Sequence, residues 1–154
     1  MVRLETDPID PAALLGTFTC DRTDVGAVVS FTGLCRAATD GHSVRTLTLD
    51  AWPGYTERVM AELEAETRAR FDLIDLLAVH RRGAVAVGQP IVFVAVAAAH
   101  RRAAFEACDF LMDQLKTRAP LWKCEDGPGG RRWIEPRTSD HADVDRWTLT
   151  EPTT

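Results

Sequence analysis

Pro90-Ile91-Val92-Phe93-Val94-Ala95-Val96-Ala97-Ala98, followed after Ala99-His100 by the stretch Arg101 to Arg118, decides the fold class of this chain. The first segment is almost unbroken apolar and β-branched sequence, so it reads as a strand buried on both faces. The second places Phe105, Cys108, Leu111, Met112 and Leu115 at three- and four-residue spacing, the apolar stripe of an amphipathic helix. Pro120 ends that helix, because the residue before a proline is pushed out of the helical region.

Reading outward, Gly26-Ala27-Val28-Val29-Ser30-Phe31-Thr32-Gly33 is a second apolar segment between glycines and reads as a buried strand. Val44 to Trp52 alternates, with Leu47, Leu49 and Ala51 on one face and Thr46, Thr48 and Asp50 on the other, until Pro53-Gly54 breaks it. Thr56 to Arg70 is a helix with Val59, Leu63 and Thr67 in line and Met60 beside them. Leu73 to His80 is a strand, and Arg82-Gly83 and Val87-Gly88 are turns around a short segment. Leu121–Glu125 and Arg132–Glu135 form a hairpin across Gly127-Pro128-Gly129-Gly130, and Ser139 or Asp140 caps a short last helix reaching Trp147. Residues 1–24 are polar, with a small apolar patch at Ala12–Leu15, and the final residues are expected to be loose. Two main helices and about six strands, in runs rather than in strict alternation, predict an α+β domain.

Composition narrows the function classes. At 154 residues, 45% hydrophobic and 27% charged, the chain reads as one ordinary globular domain, not a disordered or membrane-spanning one. No apolar run approaches the roughly 20 residues of a membrane span. Met1-Val2-Arg3-Leu4-Glu5-Thr6-Asp7 lacks a signal-peptide pattern, and Cys20, Cys35, Cys108 and Cys124 form no CxxC pair. The scattered cysteines suit a reducing cytoplasm and argue against a disulfide scaffold or a structural zinc site. The net charge of −5 is uneven: His80 to Arg137 carries ten Lys/Arg against six Asp/Glu. That suggests a local anion site rather than a nucleic-acid surface, although a solvated mixed face is the simpler account of the count alone.

Only two of the eighteen basic residues are lysines, Lys116 and Lys123. Arginine stays charged, whereas a lysine amine can lose its proton when desolvated or crowded by cations. On the count alone, two residual lysines in an arginine-rich chain are the simpler reading. Their position changes the weighting: Lys116 follows Met112 by one turn, and Lys123 lies on the strand returning past the helix end. Two neighbouring amines would depress one another and supply proton transfer or nucleophilic attack; two separate surface lysines are the alternative. At the other end of the helix, His100-Arg101-Arg102 sits at a helix N-terminus suited to phosphate. At 1.5 Å per residue, His100 and Lys116 are about 24 Å apart, so one chain would struggle to bring both to a small ligand, whereas a symmetric dimer could do so. His80 and His141 read as structural or exposed, and Trp122 could wall a pocket. No P-loop, dinucleotide fingerprint or GxSxG is present.

The chain resembles the large, catalytic subunit of molybdopterin synthase, the MoaE family. The stretches that carry the likeness are Gly26–Gly33 with Arg36, Val79-His80-Arg81-Arg82-Gly83, His100-Arg101 with Ala104-Phe105-Glu106-Ala107, Leu115 through Lys123, and Arg132-Trp133-Ile134-Glu135. They span roughly residues 25 to 147. The resemblance implies one catalytic-subunit domain over residues 1–154, with 1–24 and 148–154 peripheral. It implies an α+β fold of α/β-hammerhead type, with a mixed, largely antiparallel sheet and a homodimer within a heterotetramer. The implied activity is sulfurtransferase: sulfur passes from the thiocarboxylated Gly-Gly C-terminus of a small ubiquitin-like subunit to cyclic pyranopterin monophosphate, forming the molybdopterin dithiolene. No permanently bound cofactor and no metal are implied, and neither nucleic acid nor membrane is a partner.

By the same resemblance, Lys116 and Lys123 are the catalytic pair. Arg36 is a substrate arginine flanked by Leu34 and Cys35, and His100 and Arg101 are an anion-binding pair lent by the neighbouring protomer. Phe31, Met112 and Arg137 line the pocket, and Cys124 and Glu125 follow Lys123 where main chain meets substrate. The departures are Cys35, where an aliphatic residue is usual, Cys124, where a basic or polar one is, and Asp50-Ala51-Trp52-Pro53-Gly54, to which no function is attached. Plain substitution is the simpler account; a thiol holding sulfur or metal is the other. The chain ends without Gly-Gly, so no sulfur donor is expected at its own terminus. Two rival readings stand beside this one: a non-catalytic dimeric module binding a phosphorylated small molecule or a protein tail, and a small hydrolase, which lacks a nucleophile–base motif.

Overall fold

The computed structural model of the chain describes residues 1–148. In chain order its elements are β1 (Val2–Glu5), α1 (Pro11–Thr19), β2 (Ala27–Leu34), β3 (Ala38–Thr39), β4 (His42–Ser43), β5 (Thr46–Ala51), α2 (Tyr55–Arg70), β6 (Asp75–Arg81), β7 (Gly83–Ala86), β8 (Pro90–Ala98), α3 (Arg101–Arg118), β9 (Leu121–Gly127), β10 (Gly130–Ile134) and α4 (Thr138–Asp145). One four-stranded sheet runs β1-β6-β8-β2, another runs β10-β9-β5-β7, and β3 pairs with β4 in a small ribbon. The β1–β6 pair is parallel and the other pairs are antiparallel, so the fold is α+β with mixed but largely antiparallel sheets.

The deciding stretch folds as its residues dictate. Val92, Val94, Val96 and Ala98 face the helical layer, packing with Met60, Leu63, Leu76, Ala107, Leu111 and Leu115. Phe93, Ala95 and Ala97 face the other way, where Phe18 of α1 and Ile9 just before it cover them. Helices on both sides of the first sheet explain why β8 is apolar at every position. A third cluster, Cys35, Val44, Leu47, Leu49 and Val85, lies under the second sheet.

Several expectations change. Residues 1–24 hold a strand and a helix: Asp10 caps α1 by accepting from the Ala12 and Ala13 amides at 3.0 and 3.1 Å, with Pro11 in the first turn. The segment 26–33 is an edge strand rather than a buried one. It pairs with β8 alone, and its far end leaves Phe31 and Leu34 41% and 52% exposed. The stripe of α3 is rotated from the predicted one. Phe105 is 61% exposed, while Ala104 and Ala107 are fully buried, because short side chains let the helix approach the sheet closely. Arg137, not Ser139 or Asp140, is the N-cap of α4. The expectation of a loose end falls on 149–154, outside the described residues. Among the described residues no helix is long and apolar enough to cross a membrane.

Three anchors fix the region where the second sheet meets the helices. The Thr56 hydroxyl donates to the Pro120 carbonyl at 3.0 Å and accepts from the Trp52 amide at 2.9 Å, tying the turn after α3 to the start of α2. The Arg118 guanidinium grips both oxygens of Glu66 at 2.6 and 2.8 Å. Trp147 stacks edge-on against Phe71 and Phe110 and donates to Asp113 at 2.7 Å, which holds α4 against α3. At the tip of β9, a Cβ on Gly127 would stand 2.0 Å from the Ser43 carbonyl oxygen, so only glycine fits.

Two variants test this packing by urea denaturation. Leu111→Ala is expected to destabilise the fold by about 2–5 kcal/mol. Gly127→Ala is expected to cost about 1–3 kcal/mol, because two backbones must part.

Candidate active site

A cavity of about 730 Å³ opens where the end of α3, β9, β10 and the start of α4 face the loop after β2. Lys116, Lys123, Arg36, Arg132, Arg137, Glu125, Asp40 and Asp140 line it alongside Phe31, Leu34 and Cys35. A smaller chamber of about 160 Å³ adjoins it, sharing Phe31, Ile91, Lys116, Leu121 and Lys123 and adding His80 and Met112.

Each side chain is placed by its element. The register shift at Gly33/Leu34 turns the chain out of β2. The Cys35 amide then donates to the Gln89 carbonyl at 2.9 Å, and the Cys35 carbonyl accepts from the Gly88 amide at 2.8 Å. Arg36 is thereby carried to the cavity wall. On β9, strand alternation turns Lys123 and Glu125 to the cavity and Cys124 to the opposite face, where it is buried and absent from the lining. Glu125 pairs with Arg132 at 2.9 Å, and Arg132 also donates to the Thr39 carbonyl at 3.2 Å. Arg137 pairs with Asp40 at 2.9 Å.

The two amines sit in unlike settings. Lys116 is 48% exposed and donates to Asp140 Oδ1 at 2.6 Å. The other oxygen of Asp140 accepts from the Arg137 amide at 2.9 Å, closing a capping box. Burial alone would raise the Asp140 carboxyl, but the Lys116 and Arg137 hydrogen bonds outweigh it and hold the group below the usual carboxylate range. Lys123 is pushed below the usual lysine range, first by burial and then by the neighbouring Lys116 ammonium, against an opposing pull from Asp140. His80 is driven down to about 4, chiefly by burial, with a further push from Lys123. It is neutral at physiological pH.

The thiol option recedes on this geometry. Cys35 borders the cavity, but burial and the nearby Glu125 raise its pKa, so the sulfur stays protonated. Cys124 faces away. Of the other site residues read from the sequence, His100 and Arg101 stand exposed at the far end of α3 and do not line the cavity of their own chain. In the sequence, His80 reads as structural or exposed and Asp140 only as a cap. The signal for His80 was present in Val79-His80-Arg81-Arg82-Gly83, whereas nothing in the sequence links Asp140 to a lysine 24 positions earlier.

The arrangement can bind an anion through arginines, pair one amine with a carboxylate and keep a second partly buried beside it. The family model described as MoaE protein matches residues 4–118. The molybdopterin synthase catalytic subunit of Caulobacter vibrioides is 50% identical over 147 residues, covering 96% of this chain and 97% of that protein. Its namesake from Pseudomonas aeruginosa is 44% identical over 146 residues, covering 95% and 97%. Among solved structures, the molybdopterin biosynthesis MoaE protein of Burkholderia ambifaria MC40-6 superposes with a TM-score of 0.80 at 37% identity, covering 97% of this chain and 98% of that one. The family model reaches the end of α3 and these relatives match nearly the whole chain, and on this likeness the chain belongs to the MoaE family.

Proposed function

We propose that this chain, acting as one catalytic domain, is the sulfurtransferase subunit of a molybdopterin synthase. It moves sulfur from the thiocarboxylated C-terminus of a small ubiquitin-like subunit to cyclic pyranopterin monophosphate, forming the dithiolene. The observation that carries the reading is the pair Lys116 and Lys123, converging on one cavity with opposite electrostatic surroundings. Opening a cyclic phosphate and expelling oxygen requires protons to be given and taken at different moments, which two amines in unlike surroundings can do. Arg36, with Arg132 and Arg137 across the cavity, offers fixed cations for the phosphate. Leu34, Phe31 and Met112 wall the site, and the main chain at Cys35, Cys124 and Glu125 borders the substrate. The chemistry calls for no resident metal or cofactor, since the partner's thiocarboxylate brings the sulfur.

The name catalytic subunit borne by the relatives supports a partner subunit. The homodimer rests on geometry. His100 and Arg101 have no cavity of their own to serve, and a two-fold axis would present them to the Lys116 end of a neighbour.

Three outcomes test the reading. Lys116→Arg keeps the charge but cannot release a proton. It is expected to abolish dithiolene formation, followed by mass after mixing with thiocarboxylated partner and cyclic pterin, while the thermal unfolding curve is retained. Near-normal turnover would instead favour the binding-module reading.

The Lys123 amine is expected to react with an acylating reagent at pH values below those of an ordinary lysine at 10.5. Lys116→Met removes a neighbouring cation and should move the Lys123 midpoint up. Asp140→Asn removes an anion and should move it down, as peptide mass spectrometry across pH will show.

Lys116→Arg and Arg101→Ala chains, each inactive alone, should recover activity when mixed and refolded together. Each mixed dimer then keeps one intact site, for about a quarter of the wild-type rate. Absence of recovery would overturn the cross-protomer site.

A further inference from the structure

Most of the cations around the larger cavity are already engaged by carboxylates. Arg132 pairs with Glu125 at 2.9 Å, Arg137 with Asp40 at 2.9 Å, and Lys116 with Asp140 at 2.6 Å. Among the described residues lining the cavity, Arg36 and Lys123 are the cations that form no ion pair. A wall of paired charges is not a general sink for anions, because its carboxylates also act on whatever anion enters. Of these carboxylates, Asp40 has no part in the sulfur-transfer scheme.

Asp40 is placed by backbone geometry. It and Gly41 are the two loop residues of the β3–β4 hairpin, between Thr39 and His42, and their φ angles of 51° and 80° are the left-handed pair that a tight primed turn requires. The base of the ribbon is closed by the Val44 amide, which donates to the Ala37 carbonyl at 2.8 Å. The buried Thr39, just before the turn, accepts from Arg132 at 3.2 Å. At the tip, the Asp40 carboxylate meets Nη2 of Arg137 across the cavity mouth. A guanidinium presents its N–H donors in a planar fork, so the other edge of Arg137 remains open to a phosphate oxygen. Two anions can then share one guanidinium, with Asp40 standing beside the phosphate and not displaced by it.

We propose that Asp40 is a specificity-determining residue of this site: its carboxylate, held beside the bound phosphate through Arg137, favours a singly charged cyclic phosphodiester over doubly charged phosphate monoesters. The inference rests on the reading of the cavity as the site of the cyclic pterin, and it extends that reading because the reaction changes the charge. A cyclic phosphodiester has one ionisable oxygen. The ring-opened monoester has two, the second with a pKa of about 6, so it is largely a dianion at neutral pH. Repulsion from Asp40 grows in proportion to the charge of the ligand. The same carboxylate that tolerates the substrate therefore disfavours the opened product and helps to clear the cavity.

Asp40→Asn separates charge from structure. Asparagine also adopts the left-handed conformation and suits the turn, and its side-chain oxygen still accepts from Arg137. The first measurement needs no turnover. Phenyl phosphate, a monoester, and methyl phenyl phosphate, a diester of similar shape, are titrated into the wild-type chain and the variant at about pH 8, where the monoester is a dianion, with binding followed by NMR. Asp40 and Arg137 are 62% and 52% exposed, so one unit of ligand charge is worth only about 1.5- to 5-fold in affinity at low salt. Asp40→Asn should tighten the diester by that factor and the monoester by roughly its square. The gap between the esters should close at about 1 M salt, where charges are screened within about 3 Å. Equal changes for the two esters, weaker binding of either, a gap that survives high salt, or failure of both esters to bind would overturn the proposal.

The second measurement uses the full reaction with thiocarboxylated partner and cyclic pterin. In Asp40→Asn the inhibition constant of the ring-opened product should fall by more than KM for the cyclic pterin does, so that their ratio drops by about 1.5- to 5-fold. A ratio equal to that of the wild-type protein would sink the idea. A wild-type protein that makes no dithiolene, yet shows the gap between the two esters, would instead remove the proposed function and keep the charge selectivity of the cavity.

Discussion

An ammonium and a carboxylate 2.6 Å apart, Lys116 on α3 and Asp140 on α4, set how the two helical walls of the pocket meet. Their pairing adds little to stability. Lys116 is half exposed, and pairs of that kind contribute about 0–1 kcal/mol. What the pair does is positional. One Asp140 oxygen holds the amine, the other holds the Arg137 amide, and so a single carboxylate fixes the last turn of α3 relative to the first turn of α4. Arg137, Ser139 and Asp143 then line the cavity from the α4 side.

An eight-residue helix does not stand alone in water, so something stronger must hold α4 in place. The edge-on cluster of Phe71, Phe110 and Trp147 does so, with ring centroids 5.4 to 6.2 Å apart. Asp113 reinforces it, accepting from Trp147 and Arg146 at 2.7 Å each. Burial of large aromatic surface and hydrogen bonds to a charged, mostly buried carboxylate outweigh one half-exposed ion pair by several-fold. The division of labour is physical: apolar contacts supply the energy that docks α4, and the ion pair decides where its first turn points.

Legibility in the sequence followed the same division. The β8–α3 unit was readable to its observed bounds, because a run of β-branched residues and a three-four apolar stripe are local signals. The rotation of α3 was not. Phe105 is the more hydrophobic residue, but Ala104 and Ala107 are the ones that let the helix sit close to the sheet, and only the sheet's presence decides between them. β2 was read as buried from its composition, yet burial of a strand depends on its place in the sheet order, which no single segment encodes. The Asp10-Pro11 start of α1 was a local signal that the reading passed over. In the site, Lys116, Lys123 and Arg36 were legible from residue type and resemblance. Asp140 was not, since its role comes from a tertiary approach across 24 positions.

The charge pattern of α3 links the scaffold to the proposed assembly. At its C-terminal end, Lys116 and Arg118 lie where the helix dipole favours cations. At its N-terminal end the order is reversed: Arg101 and Arg102 follow His100, and the first turn has no acidic residue. Arg102 finds Glu106 at 3.4 Å, whereas Arg101 forms no ion pair among the described residues. A cation at the positive end of a dipole is destabilising by a few tenths of a kcal/mol to about 1, a cost that folding of one chain does nothing to offset. An anion brought to that end would reverse the sign, recruiting the free helix N–H groups and the guanidinium together. In the proposed assembly, the phosphate of a substrate in a neighbouring protomer's cavity would be such an anion. In that assembly one helix would serve two sites, presenting an amine for chemistry at one end and an anion grip at the other, and its length would set the spacing that a two-fold pairing has to match.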